Sequence, residues 1–247
     1  MPTMPQVPEP FVALGQDAAA LGLRLDRAQL EACERYAREL AEATKTVNLT
    51  AITEVPDIAV RHFLDSFTAY AARRWSGHER VIDIGSGAGF PGMALRIALP
   101  GVRLTCVEAT GKKARFIERM LDDLALDRVA VVHARAEDLA RDPAHRARYD
   151  VATARAVGAL ALCAELALPF LVVGGEAVVW KGRLEAELAA AGKALAALGG
   201  EITAVVPTSS LGLGERLPGR SLVVMRKVRA TPDRYPRGPA DLKRRPW

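Results

Sequence analysis

The amino-acid sequence predicts a doubly wound α/β fold, in which a mostly parallel sheet carries helices on both faces. Three observations predict it. From about Arg80 onward, short apolar segments alternate with helical stretches, which is the pattern of βαβ units. A glycine-rich turn, DIGSGAGFPG at 83–92, connects the first apolar segment to a helix. Near the end of the chain, two further apolar segments follow each other with only a turn-rich connection between them.

Helical patterns occupy the residues before the sheet. Asp26 is placed to cap a helix whose apolar positions recur at three- and four-residue steps, at Leu30, Cys33, Ala37 and Leu40. A second helix is predicted over Pro56 to Arg74, because proline suits the first turn of a helix and an apolar stripe follows it. We therefore expect residues 1–75 to form an N-terminal helical extension.

The core of the fold is predicted over residues 76–229. Its first five strands are RVIDIG, RLTCVEA, RVAVVHA, YDVATAR and GGEAVVWKG. After a long helix from Leu184 to Leu198, EITAVVPTSS and RSLVVMRKV form two strands that their short connection makes antiparallel. A parallel sheet that ends in an antiparallel hairpin is typical of class I methyltransferases more than of dehydrogenases. Residues 230–247 are expected to form a basic tail.

Composition excludes several classes of protein. The chain has 247 residues, of which 50% are hydrophobic and 26% charged, as in an ordinary globular protein rather than a disordered one. Its apolar runs are broken before the ~20 residues that a membrane helix needs, and MPTMPQVPEP lacks the pattern of a secretory signal. We therefore expect a cytoplasmic protein without a membrane partner. No metal is expected, because the cysteines and histidines lack metal-ligand spacing.

Positive charge is concentrated at the end of the chain. From Arg216 onward there are ten basic and two acidic residues, a net charge of +8, whereas the preceding residues carry −3. Such an asymmetry indicates a polyanionic partner, with nucleic acid as the leading candidate and a merely solvated tail as the alternative.

The glycine-rich turn is the most informative motif. Gly85, Gly87 and Gly89 lie between a strand and a helix, where free backbone N–H groups adjoin a helix N-terminus. Such a loop can hold a nucleotide-like ligand against the main chain, although a tight structural turn would show the same glycines.

Two carboxylates favour S-adenosylmethionine over NAD as that ligand. Asp83 precedes the first glycine by two residues, where it would repel a pyrophosphate but suit the ammonium group of a methionine moiety. Glu108 ends the next strand, the usual place for a carboxylate that accepts hydrogen bonds from two ribose hydroxyls.

Residues after the third and fourth strands extend this candidate site. Ala136 and Glu137 are placed to line the edge of an adenine ring, or else simply begin a solvated helix. Arg155 ends the fourth strand, which makes it the best candidate for a residue near the reacting centre; an ion-pair partner is the alternative. Asn48 could read a guanine edge or cap a turn. Arg61 and His62 could contact RNA or pair with Asp65.

Taken together, the motifs resemble those of the RsmG (GidB) family over roughly Val47 to the C-terminus. The motifs that carry the resemblance are NLTAI at 48–52, RHFLDS at 61–66, DIGSGAGFPG at 83–92, RAE at 135–137, ARA at 154–156, WKG at 180–182 and the ending YPRGPADLKRRPW. The resemblance implies a donor site made by Gly85, Phe90, Glu108, Ala109, Thr110, Ala136, Glu137 and Arg155.

The same resemblance implies a reaction. Members of that family transfer a methyl group from S-adenosylmethionine to N7 of a guanosine in the 530 loop of bacterial 16S ribosomal RNA, which leaves S-adenosylhomocysteine. Loss of the activity in the family is associated with low-level streptomycin resistance. The expected partner is therefore 16S rRNA or the small ribosomal subunit. Two alternatives stay open, a methyltransferase for another RNA or a small molecule, and a nucleotide-binding module that associates with ribosomes.

Overall fold

A seven-stranded sheet lies at the centre of the computed structural model, which describes residues 7–182 and 184–247. The strands are β1 (Arg80–Ile84), β2 (Arg103–Glu108), β3 (Val129–His133), β4 (Tyr149–Arg155), β5 (Leu171–Lys181), β6 (Gly200–Pro207) and β7 (Ser221–Lys227). Their order is β3-β2-β1-β4-β5-β7-β6, and β7 runs antiparallel to both of its neighbours. The predicted parallel sheet with a terminal antiparallel hairpin is confirmed.

Helices cover this sheet and precede it. They are α1 (Glu9–Ala20), α2 (Arg27–Thr44), α3 (Val55–Ile58), a π-helical turn (Ala59–Leu64), α4 (Asp65–Ala72), α5 (Gly92–Ala98), α6 (Gly111–Asp123), α7 (Ala136–Leu139), α8 (Leu160–Ala167), α9 (Leu188–Leu198) and α10 (Pro239–Arg244). Residues 1–6 of the expected N-terminal extension, which include most of the segment searched for a secretory signal, lie outside the described residues.

The predicted cap of α2 is present. Asp26 accepts a hydrogen bond from the Gln29 backbone N–H, and the Gln29 side chain accepts one from the Asp26 N–H, which makes a capping box. The second predicted helix is correct in place but not in form, because a π-helical turn interrupts it between α3 and α4. π turns commonly occur at functional sites, and this one carries His62.

The N-terminal helices share one hydrophobic core with the sheet. Fully buried side chains from α1, α2 and the π turn pack in a single cluster with side chains of α5 and α6. Aromatic rings connect the two parts, since the Tyr36 ring lies edge-on to Phe90 at 5.4 Å and to Phe116 at 5.8 Å. Residues 7–75 are thus packed against the core that follows them in sequence.

Helix α9 begins four residues later than predicted. The preceding residues form a turn in which Leu184 is buried and the Glu187 carboxylate accepts a hydrogen bond from the Leu160 N–H at 2.5 Å. Glu187 also lies 2.8 Å from the Lys181 Nζ. These two contacts fix Glu187 at the start of α8, so the α9 helix begins only after it.

The expected basic tail is docked on the core. The Arg146 guanidinium donates to the backbone oxygens of Tyr235 at 2.9 Å and Thr231 at 3.0 Å. Arg141 donates to the Pro236 oxygen at 2.7 Å. Arg237 and Trp247 line the same cavity as Gly85 after β1 and Val157 after β4, so the tail lies beside the carboxyl edge of the parallel strands.

Candidate functional site at the carboxyl edge of the sheet

The glycine-rich turn between β1 and α5 has the backbone geometry that glycine permits. Gly85, Gly87 and Gly89 have φ angles of 65°, 58° and 90°. The N-terminal helices hold the turn in place, because the Tyr36 hydroxyl donates to the Ala88 oxygen at 2.8 Å. Burial raises the pKa of Tyr36, so this hydroxyl stays protonated and can donate. A Cβ on Gly89 would lie 2.2 Å from the Tyr36 oxygen, so only glycine fits there.

Asp83 lies in β1 and bonds other groups of the protein. Its side chain is fully buried, with Oδ1 accepting from the Thr153 hydroxyl at 2.7 Å and Oδ2 from the Gly92 N–H at 3.1 Å. Burial raises the pKa of this carboxyl, and the hydrogen bonds oppose that rise. In this structure Asp83 fixes the start of α5 through Gly92, and its contact with a ligand ammonium stays a prediction.

Glu108 is placed as the sequence analysis expected, at the end of β2 and beside the glycine turn. Its Oε2 accepts from the Gly87 N–H at 2.8 Å and its Oε1 from the Thr110 N–H at 2.7 Å. An ionised carboxylate has about four acceptor positions, so two remain for a ligand. The neighbouring Ala109 and Thr110 are exposed.

A cavity of about 620 Å³ opens at the carboxyl ends of β1 to β4. Gly85, Ala109, Ala136 and Glu137 line it, which brings together four of the residues singled out in the sequence. Asp83, Gly87, Phe90, Glu108, Thr110 and Arg155 are not among the lining residues, although Glu108 stands between Val107 and Ala109, which are. This volume falls in the range of typical small-molecule sites, which is about 300–1,000 Å³.

Arg155 and Phe90 form a second group beside this cavity. Arg155 Nη1 lies 2.9 Å from Asp65 Oδ2, and its guanidinium lies 5.5 Å from the centre of the Phe90 ring. Burial lowers the pKa of Arg155, while Asp65 acts in the opposite direction. Arg155 is therefore an ion-pair partner, the alternative left open by the sequence, although it also contacts a residue of the implied donor site.

His62 joins this group to the segment that contains Asn48. Its ring stacks on Phe90 at 4.7 Å, Nδ1 lies 3.0 Å from Arg155 Nη2, and Nε2 lies 2.9 Å from the Thr50 hydroxyl. An arginine can only donate, so Nδ1 accepts and the ring proton is on Nε2. Burial and three arginines lower the pKa of His62 to about 3, which keeps the ring neutral. Asn48, two residues from Thr50, is exposed.

Asp65 has partners that local spacing did not indicate. It pairs with Arg155 and lies 3.3 Å from Arg220 Nε, whereas the sequence analysis considered Arg61 and His62 as its partners. Arg61 is exposed. Arg155 is 90 positions and Arg220 155 positions away along the chain, so only the folded sheet brings them to the π turn.

Residues 7–182 and 184–247 show neither a membrane-spanning helix nor a cluster of metal ligands. None of the helices in that part of the chain is long and apolar enough to cross a membrane. The same residues contain no group of three or more His, Cys, Asp or Glu side chains placed to hold a metal ion.

Comparison with known proteins identifies relatives along most of the chain. A model of the rRNA small subunit methyltransferase G family, GidB, matches residues 29–213. A ribosomal RNA small subunit methyltransferase G of Roseiflexus castenholzii is 45% identical over 234 residues, which cover 93% of this chain and 96% of that protein. One of Dehalococcoides mccartyi is 42% identical over 220 residues, 89% and 92% of the two chains. The chain belongs to the ribosomal RNA small subunit methyltransferase G family.

Solved structures agree with this membership at the level of the fold. The structure of a mutant of MtNAS in complex with S-adenosylmethionine matches this chain with a TM-score of 0.53 at 14% identity. The match covers 89% of this chain and 78% of that one. A SAM-dependent methyltransferase from Aquifex aeolicus matches with a TM-score of 0.51 at 16% identity, over 69% and 93%. The class I methyltransferase fold predicted from the sequence is confirmed.

Proposed function

We propose that this methyltransferase G family chain transfers the methyl group of S-adenosylmethionine to N7 of a guanosine in the 530 loop of 16S ribosomal RNA. The observation that carries the proposal is the Glu108 carboxylate, which is held beside the glycine turn and next to a cavity of about 620 Å³. Family membership supplies the class of substrate, ribosomal RNA of the small subunit. Such a substrate also favours the cytoplasm as the place of action.

The described residues fit an adenosine-containing donor. The two free acceptor positions of Glu108 suit the two hydroxyls of a ribose. The cavity next to Glu108 is lined mainly by apolar side chains, including Ala136, Val157 and Leu162, and these suit the faces of a purine ring. Glu137 adds an acceptor at the cavity wall. Gly85 lets the main chain approach the ligand closely.

The chemistry at guanine N7 requires alignment more than proton transfer. The donor supplies a methyl group on a sulfonium sulfur, and N7 carries a free lone pair and no proton. The protein then has to hold the two in line and exclude water. The described titratable side chains next to Phe90 agree with this, because His62 is neutral with both ring nitrogens hydrogen-bonded and Asp65 is paired with Arg155.

The acceptor base belongs, in this proposal, beside Phe90. The Phe90 ring, His62 and Arg155 form one packed group at the edge of the glycine turn. Exposed Arg61 and Asn48 lie in the segments tied to that group, where they are available to RNA phosphates and base edges. Arg155 would then act by positioning this group, with Asn48 as the candidate reader of the guanine edge.

The decisive experiment maps the modified base. Purified protein is incubated with labelled S-adenosylmethionine and with small subunits or 16S rRNA from a strain lacking the enzyme, and the labelled nucleotide is located. We expect a single 7-methylguanosine in the 530 loop, and low-level streptomycin resistance when the gene is deleted. Label in another RNA, or at another position, would contradict the proposal.

Calorimetry separates this function from a dehydrogenase. The proposal expects S-adenosylhomocysteine to bind and NAD not to bind. Binding of neither ligand would favour a ribosome-associated module that performs no methyl transfer.

A further inference from the structure

The C-terminal segment contributes a large part of the cavity wall. Six residues after position 236 line the cavity that also contains Gly85, Ala136 and Glu137: Arg237, Pro239, Leu242, Lys243, Pro246 and Trp247. These residues lie more than 80 positions after Arg155 in the sequence and still further from the glycine turn. No local sequence pattern therefore connects them with that turn. The cavity therefore has two walls, one made by the strand ends and one by the segment 237–247, which we call the C-terminal wall.

A fully buried carboxylate holds the C-terminal wall in place. Glu165 on α8 is 0% exposed, and its oxygens accept from the Arg237 backbone N–H at 2.7 Å, from Arg237 Nη2 at 2.7 Å and from Trp247 Nε1 at 2.6 Å. Both ends of the wall are thus bonded to one side chain. Glu165 itself is not among the residues that line the cavity.

Two further side chains contact the Trp247 ring. The Arg237 guanidinium lies 4.6 Å from the centre of the ring, and the Tyr235 ring lies 5.8 Å from it. Removing one partner from a buried ion pair leaves an uncompensated charge, which is strongly unfavourable. The contacts between Glu165, Arg237 and Trp247 therefore favour a single position of the wall.

We infer that the C-terminal wall is part of the donor-binding site, that Leu242 and Trp247 contact the adenine half of the donor, and that Glu165 is their positioning residue. The inference rests on the proposed function for the identity of the ligand. Glu108 marks the ribose, and the apolar cavity beyond it is closed by the wall. An indole ring offers the flat apolar surface against which a purine stacks.

Substitutions at Trp247 and Glu165 test the inference by calorimetry. Stacking of an aromatic side chain on a base contributes to the binding free energy. Trp247→Ala should therefore weaken the binding of S-adenosylhomocysteine about tenfold, and Trp247→Phe should weaken it less. Glu165→Gln should also weaken the binding of S-adenosylhomocysteine. It should raise the KM for the donor and leave kcat unchanged, because the C-terminal wall loses the side chain that holds it while the groups around the reacting atoms stay the same. In both variants the affinity for 5′-methylthioadenosine, which lacks the amino-acid half, should fall by the same factor as the affinity for S-adenosylhomocysteine.

A direct signal distinguishes contact from altered stability. Trp247 fluorescence should change on addition of S-adenosylhomocysteine, and this change should be absent from Trp247→Phe but present in Trp75→Phe. Glu176→Gln is the control for Glu165→Gln, because Glu176 is also a carboxylate in ion pairs with arginine, but its partners Arg73 and Arg226 do not belong to the C-terminal wall. It should leave the donor affinity unchanged.

Two results would overturn the inference. One is wild-type affinity for S-adenosylhomocysteine in both Trp247→Ala and Glu165→Gln. The other is a loss confined to S-adenosylhomocysteine and absent for 5′-methylthioadenosine, which would move the wall to the methionine half. If the wild-type protein binds neither ligand, the proposed function fails instead.

Discussion

Two carboxylates at neighbouring strand ends have different surroundings and therefore different roles. Asp83 is enclosed, and both of its oxygens bind groups of the protein. Glu108 bonds two backbone N–H groups at the edge of the cavity and keeps acceptor positions free. Both positions follow from the strand pattern, but the full burial of the Asp83 side chain does not. Burial depends on the packing of Thr153 and Gly92 against Asp83, which no local pattern contains.

Substitution of Gly87 tests the glycine turn. Gly87 has a φ of 58°, and a Cβ there would come no closer to protein atoms than 3.9 Å. In Gly87→Val the added side chain should therefore meet the donor rather than the protein. We expect S-adenosylhomocysteine binding to be lost in calorimetry, with a stability cost of about 1–2 kcal/mol for the left-handed backbone.

Gly219→Val is the matched control for Gly87→Val. Gly219 has a φ of 64° and open surroundings, but it lies in the connection between β6 and β7 and not in the glycine turn. It should show the same stability cost and normal donor binding. Normal binding by Gly87→Val would place the donor elsewhere.

Substitution of Glu108 tests the ribose contact. Glu108→Ala removes acceptors for the ribose and for the Gly87 and Thr110 N–H groups. The donor affinity should fall by ~1.5–3 kcal/mol, the range for hydrogen bonds to a charged group. Glu108→Gln, which keeps one acceptor, should lose less. An unchanged dissociation constant for S-adenosylhomocysteine in both variants would remove the residue from the site.

His62 makes the stability of the protein depend on acidity. Its pKa of about 3 in the folded protein lies below the ~6.5 of an unfolded chain, so between these values only the unfolded chain binds a proton. The free energy of unfolding should therefore be highest above pH 6.5 and fall by up to about 1.4 kcal/mol per pH unit towards pH 3. From pH 7.5 to pH 5, urea denaturation should show about 2 kcal/mol more loss in the wild type than in His62→Gln. Equal losses would mean that His62 takes up a proton in the folded protein.

At the scale of elements, the N-terminal helices support the glycine turn. Helix α2 carries Tyr36, which is fully buried between the turn and the aromatic rings of Phe63 and Phe90. Its hydroxyl provides a direct bond from α2 to the backbone of the turn, at Ala88. The helical region thus acts as a support for the donor site in addition to burying one face of the sheet.

The variant Tyr36→Phe tests that support. It leaves the buried Ala88 oxygen without its donor, which should lower the free energy of unfolding by about 1–3 kcal/mol. The donor affinity should fall as well, because the turn loses an anchor. Tyr70→Phe serves as the control, since Tyr70 lies on α4 and its side chain is only partly buried. If Tyr36→Phe binds the donor normally, the turn holds its shape without α2.

Elements were predictable where the chain carries a local signal. Strands β1 to β4 follow from apolar runs between helical stretches, and the cap at Asp26 follows from residue types three positions apart. The late start of α9 was not predictable, because it depends on Glu187 bonding to Leu160, 27 positions away. The hydrogen bond between Glu165 and Trp247 spans 82 positions, so local sequence patterns could not predict the C-terminal wall of the cavity either.

At the scale of the whole molecule, five of the ten basic residues after residue 215 form ion pairs within the protein. The ion pairs are Arg216 with Asp17, Arg220 with Asp65, Arg226 with Glu176, Arg237 with Glu165 and Arg244 with Asp241. Lys227 is buried, with its Nζ bonded to the oxygens of Leu168 and Leu171. The net charge of this segment therefore overstates the number of cations available to RNA.

Salt dependence measures how many of these cations contact RNA. Neutralising Lys243, Arg244 and Arg245 together should flatten the slope of log K against log salt by up to about 0.7 to 0.9 per lost contact. Because Lys243 lines the cavity, the triple variant should also change donor affinity, whereas the double variant at Arg244 and Arg245 should not. Slopes identical to the wild type would place the RNA surface on the folded core, near Arg61.

The position of β7 between β5 and β6 has a consequence for protein synthesis. β6 precedes β7 in the chain, yet it pairs with β7 alone. While the ribosome adds the 20 residues from the end of β6 to the end of β7, β6 has no neighbour with which to form a ladder. At 5–20 residues per second this interval lasts roughly one to four seconds. The edge strand β6 therefore cannot join the sheet before β7 has been made and lies between it and β5.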